Sequence, residues 1–134
     1  LPAFNQSIRK SQKVNPKFYW FDIGVKRALE RTLDIPCNPQ TSFYGDTFEH
    51  FVILEIYKMN SYLEKDYRLS FFESYAGGEI DLVLSRSKRE GPILIEIKST
   101  NLIRGEEEGE ILKLAKYAKE LKNCNFKWLE LWND

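Results

Sequence analysis

Two consecutive apolar runs constrain the fold more than any other part of the chain: E-I-D-L-V-L over residues 79–84 and I-L-I-E-I-K over residues 93–98. Each alternates with the period of a strand, so Ile93, Ile95 and Ile97 share one face while Leu94, Glu96 and Lys98 share the other. In the first run Ile80, Leu82 and Leu84 fall on one side, Asp81 and Val83 on the other. The charged segment 85–92 between them reads as a turn. Pairing Leu84 with Ile93 then sets Val83 opposite Leu94 and Asp81 opposite Glu96. Like charges directly across a ladder destabilise a sheet, so two carboxylates placed there call for a cation between them.

A hard cation such as Mg2+ or Mn2+ prefers oxygen ligands of this kind, and the backbone carbonyl of Ile97 is a candidate further ligand. Lys98 stands two residues from Glu96 on the same face, where an ammonium can orient a water or neutralise charge growing on a phosphoryl oxygen. On spacing alone, a solvated sheet face with cross-strand ion pairs explains the same residues. The preceding G-G-E-I-D and the shared face favour the metal site. Glu79, on the Asp81 face, is either an outer ligand or an edge charge that discourages aggregation, and the edge charge is the preferred reading.

The rest of the chain supplies the cover for such a hairpin. Phe18, Tyr19, Trp20 and Phe21 read as a short aromatic strand, and Asp22 as the N-cap of a helix running to about Leu33. A second helix opens at Gly45 and Asp46 with an apolar stripe of Val52, Ile53, Ile56, Met59 and Leu63. Glu49 lies beside that stripe and can look toward the sheet as a fourth member of the site. Asp46-x-x-Glu49 is also a capping-box pattern, and the two roles compete for one carboxylate. His50 could shuttle protons near Glu49, but it points about 100° away around the helix and reads as a surface or packing residue. A strand at residues 67–72 precedes the hairpin; a helix over residues 111–123 and a closing strand at 126–132 follow it. Residues 1–16 are polar and aperiodic, which reads as a linker or the remnant of a preceding domain, with the compact domain at 17–134. The start at Leu1 is the one expected of a piece of a longer protein, or of maturation or trimming.

Lys and Arg number 20, as do Asp and Glu, so the molecule lacks the field that would by itself hold a polyanion, and any contact with nucleic acid is local. The clusters Lys26-Arg27-Arg31 and Arg86-Lys88-Arg89 are the candidates for phosphate contact, the second the better one. Trp20, Trp128 and Trp132 lie in strand-like runs and read as buried rather than base-stacking. Cys37 and Cys124 have no zinc-ligand spacing, and no apolar run has spanning length. A reducing cytoplasm without membrane contact is the expectation.

Four ordered blocks carry a family resemblance: K-F-Y-W-F-D-I-G-V-K-R-A-L, F-E-H-F-V-I-L-E, G-G-E-I-D-L-V-L and I-L-I-E-I-K-S. Together they resemble the nuclease-like C-terminal domain found behind the ATPase and winged-helix parts of prokaryotic AAA+ family ATPases, itself similar to the PD-(D/E)xK nuclease superfamily. The resemblance covers residues 17–99. It implies an α/β, restriction-endonuclease-like core, a mixed sheet flanked by helices. It also implies Glu49 in the helix motif, Asp81 as the motif aspartate, Glu96 and Lys98 as the E-x-K pair, and an ATPase upstream. Two departures stand out: Ile80 replaces the nominal proline, and the Q-x-x-x-Y signature of RecB-like relatives is reduced to Lys113 and Tyr117. The expectation is a Mg2+- or Mn2+-dependent nuclease acting on DNA, with Asp81, Glu96 and Glu49 on the metal. The rival is a catalytically inactive interaction module that regulates the ATPase.

Overall fold

The computed structural model describes residues 1–4, 15–39, 41–74, 78–87, 89–99, 109, 112–113, 115–117, 125–126 and 129–130. These form a mixed α/β fold with helix α1 (Ile23–Leu29), helix α2 (Ser42–Tyr62) and strands β1 (Arg68–Glu73), β2 (Glu79–Ser85), β3 (Ile93–Ile95), β4 (Ile97–Lys98), β5 (Asn125–Phe126) and β6 (Leu129–Glu130). Strands β1, β2 and β3 form an antiparallel meander, and β5 joins β3 in parallel to give the order β1-β2-β3-β5. Strand β4 pairs in parallel with β6 as a separate two-stranded ladder.

The hairpin register is the one the alternation predicts: Leu84 pairs with Ile93, Val83 with Leu94 and Leu82 with Ile95. The facing of β2 is not. Ser70 pairs with Val83 but Phe72 with Ile80, so β2 spends three residues where β1 spends two. This bulge shifts the alternation. Ile80 accordingly joins Val83, Leu94 and Tyr117 in one core, rather than Leu82 and Leu84, which pack with Val52, Ile53, Ile95 and Ile97 in the other. The sheet is thus covered by α2 on one face and by the helical residues around Tyr117 on the other. Burying a side chain of this kind contributes about 1.5–3 kcal/mol, which explains why α2 is anchored by Val52 and Ile53. Met59 and Leu63, farther along the predicted stripe, stay exposed.

Asp22 caps α1 as predicted, its carboxylate accepting from the Val25 amide at 2.9 Å. The helix stops at Leu29, short of the expected Leu33, because Arg31 takes a left-handed φ of 56°. Helix α2 opens earlier than expected, at Ser42, where the Thr41 hydroxyl accepts from the Tyr44 amide at 3.2 Å. Gly45 and Asp46 are therefore inside the helix. Beyond its end, Glu64 and Asp66 are left-handed, and Asn60 holds both the amide and the carbonyl of Tyr67 as the chain turns into β1.

The aromatic run at Phe18 is not a strand; residues 15–20 form no ladder, and Phe18 and Phe21 are largely exposed. Residues 1–4, at the start of the stretch read as a linker, lie beside β1, with Ala3 bridged to Phe71 and buried. Trp20 is half-buried; Trp128, Trp132, Cys124 and Lys88 lie outside the described residues. Among the described residues no helix is long and apolar enough to cross a membrane.

Candidate functional site

The hairpin ladder runs through Leu82 and Ile95 and then breaks, because Glu96 leaves the strand. Asp81 takes over with its side chain. Its Oδ2 accepts the backbone amide of Ile97 at 2.7 Å, which ties β2 to the first residue of β4. Asp81 and Glu96 are thus close without being a ladder pair, and the break between β3 and β4 falls on the glutamate itself.

Glu96 is 2% exposed. Its Oε1 accepts from the ammonium groups of Lys98 and Lys113, each at 2.8 Å, while Oε2 is buried with no hydrogen-bond partner among the described residues. Two cations around one buried carboxylate compensate the loss of water. Asp81 accepts from the Ile97 amide and feels the charge of Lys98 less strongly. Burial first, then the charge of Glu96, push its carboxyl up to about 7; Glu49 adds to this, and the Ile97 amide and Lys98 oppose it.

Glu49 approaches from α2. Since Thr41 provides the cap, the capping-box role expected for Asp46 and Glu49 does not arise. The Glu49 Oε1 instead accepts from the Tyr19 hydroxyl at 2.7 Å, and Lys17 Nζ stands 4.0 Å away. Lys17 also pairs with Glu79, so that residue is the partner in an ion pair rather than the lone edge charge expected of it. Burial pulls the Lys17 ammonium down, but Glu79, Glu49 and Asp81 outweigh it and hold it above the ordinary lysine range. Burial, then Glu49, Asp81 and Glu79, likewise keep the Tyr19 phenol protonated. His50 is buried, donating from Nε2 to the Trp20 carbonyl at 2.7 Å, which is a packing rather than a surface role.

Sequence reasoning thus placed Asp81, Glu96, Lys98, Ile97 and Glu49 in one neighbourhood, and missed Lys17, Tyr19 and Lys113 as members of it. Lys113 carried a signal: it lies four residues before Tyr117, hence on the helix face that packs on the sheet. Lys17 and Tyr19 carried none, because reading their segment as a strand gave them no reason to meet α2. Among the described residues, no group of three or more histidine, cysteine, aspartate or glutamate side chains is gathered closely enough to hold a metal ion.

Lys26, Arg27 and Arg86 of the basic clusters have partners within the chain. Arg27 donates to the carbonyls of Thr32 and Leu33, closing the turn after α1, and Lys26 pairs with Glu30 at 3.5 Å. Arg86 pairs with Glu90 and lies over the Tyr67 ring.

A family model matches residues 44–127, from the first turn of α2 to the end of β5, and so includes Glu49, Asp81, Glu96 and Lys98. The chain belongs to the domain of unknown function DUF4143. No curated protein and no solved structure matches it. Lys17 and Tyr19 lie outside the part matched to DUF4143, although their side chains reach Glu49 within it.

Proposed function

We propose that this DUF4143 domain is a divalent-metal-dependent nuclease that hydrolyses DNA phosphodiester bonds, working as the C-terminal part of a larger ATPase. The observation that carries the reading is the pairing of Asp81, whose carboxyl is pushed up to about 7, with Glu96, whose Oε2 is buried and unpartnered. A buried carboxylate oxygen with no donor, beside a second carboxyl whose charge is disfavoured, is the electrostatic complement of a hard cation. Carboxylate and carbonyl oxygens are the donor class that Mg2+ or Mn2+ takes, and Asp81, Glu96 and the Ile97 carbonyl would hold the ion, with Glu49 on α2 the further candidate.

When bound, the cation would lower the pKa of a coordinated water and polarise the phosphate. Asp81 and Glu96 place the negative charge that holds it. Lys98 donates from the same face to the phosphoryl oxygen on which charge develops, and its contact with Glu96 keeps the ammonium oriented. Lys113 neutralises Glu96 from the other helix, so a phosphate approaches a carboxylate whose repulsion is already offset.

The test is cleavage of single- and double-stranded DNA with Mn2+, comparing the wild type with Asp81→Ala and Lys98→Ala. Loss of cleavage in both variants is expected; equal cleavage by all three proteins overturns the assignment. The second reading, an inactive module docking on the ATPase, draws on α1, which buries none of its residues and leaves Leu29 exposed, with Leu33 and Ile35 exposed just beyond it. Absence of Mg2+ and Mn2+ binding at millimolar concentration would favour that module over the nuclease.

A further inference from the structure

Residues 1–4 lie outside the part matched to DUF4143 and yet dock on the edge of its sheet. Strand β1 ends the order β1-β2-β3-β5, so its outer row of amides and carbonyls faces no strand of that sheet. Phe71, in that row, donates its amide to the Pro2 carbonyl at 3.1 Å and accepts the Phe4 amide at 2.6 Å, the two bonds of a parallel bridge around Ala3. Ala3 is buried, with Leu1 packed against the Val52 core and Phe4 against the Ile80 core. Leu1 also grips Lys17 across 16 residues: its nitrogen donates to the Lys17 carbonyl, and its carbonyl accepts the Lys17 amide at 2.9 Å. The side chain of the same Lys17 lies over the Phe71 ring, Nζ 5.3 Å from the centroid, and pairs with Glu79 on β2. These bonds and one buried methyl group are a small hold beside the β1–β2 and β2–β3 ladders, and Pro2 has no amide to add to it. A segment held so lightly opens at a lower free energy than the core.

We propose that residues 1–4 are a strap that opens from β1 as one unit, and that Lys17 latches it through its ion pair with Glu79. Closed, the strap keeps the Lys17 ammonium on the carboxylate two residues before Asp81. Open, it frees that ammonium and bares the β1 edge, whose unpaired groups can then accept another extended segment. The device needs no bound metal.

The experiment is native-state hydrogen exchange of the whole chain, read amide by amide by NMR, for the wild type, Lys17→Met, Glu79→Gln and the double variant. In the wild type the amides of Phe4, Lys17 and Phe71 are expected to exchange with one common opening free energy, below that of the β2–β3 ladder amides. Each single variant is expected to speed exchange at positions 4, 17 and 71 by about 2- to 5-fold, the range of a partly exposed ion pair, and to leave the ladder amides unchanged. The double variant should be no faster than Lys17→Met alone. Exchange of the three wild-type amides at unrelated rates, or only together with the ladder, overturns the strap. Unchanged exchange of Phe4 and Phe71 in Lys17→Met overturns the latch, as does equal acceleration of the ladder amides, which would mean that Lys17 acts on the whole fold.

Discussion

Asp81 Oδ2 accepts the amide of Ile97 at 2.7 Å, so the side chain of one candidate ligand holds the backbone that follows the other. Because Glu96 interrupts the strand, this bond replaces the ladder contact that would otherwise link β2 to the chain at that point. The same carboxylate is thereby structural and chemically frustrated: it orders the β3–β4 break while burial and Glu96 disfavour its charge.

That conflict sets a pH dependence. In the folded chain Asp81 keeps its proton up to about 7, whereas an unfolded aspartate releases it near 3.8. Between these values the native state binds more protons, so its stability falls as pH rises through the window. Asp81→Asn keeps an oxygen for the Ile97 amide and removes the charge. It is expected to be more stable than the wild type at pH 8 by on the order of 2 kcal/mol, less than the full shift because the group keeps some exposure. The advantage should vanish near pH 4 in urea denaturation. Millimolar Mn2+ should raise the melting temperature of the wild type more than that of the variant. Parallel pH profiles for the two proteins would contradict the frustrated-carboxylate account.

Glu96 faces two ammonium groups, which makes either one partly dispensable. Lys98→Met or Lys113→Met alone is expected to cost about 1 kcal/mol, since the remaining lysine still compensates the buried charge. Together they should cost about 3–5 kcal/mol, more than the sum, because the carboxylate is then left uncompensated. Adding Glu96→Gln to the double variant should recover much of that loss. Strict additivity by chemical denaturation would show that the two lysines do not share Glu96.

The start of α2 offers a third check. Thr41→Ala removes the hydroxyl that accepts the Tyr44 amide and is expected to cost about 1 kcal/mol. Asp46→Ala lies inside the helix and should stay within about 0.5 kcal/mol. The reverse ranking in thermal melts would restore the capping-box role of Asp46 and Glu49.

What the sequence determined by itself is local. Alternation and turn length set the pairing of Leu84 with Ile93, and Asp22 announced a helix start, because each depends on residues a few positions apart. The tertiary structure decided the rest. It inserted the bulge that moved Ile80 to the Tyr117 core, and it capped α2 at Thr41, which released Glu49 for Tyr19. It also brought Lys113 to Glu96 across 17 residues, Tyr19 to Glu49 across 30 and Lys17 to Glu79 across 62. Periodicity reports which side of its own element a residue occupies, whereas those partners meet only once α2 and the Tyr117 helix have packed on opposite faces of the sheet.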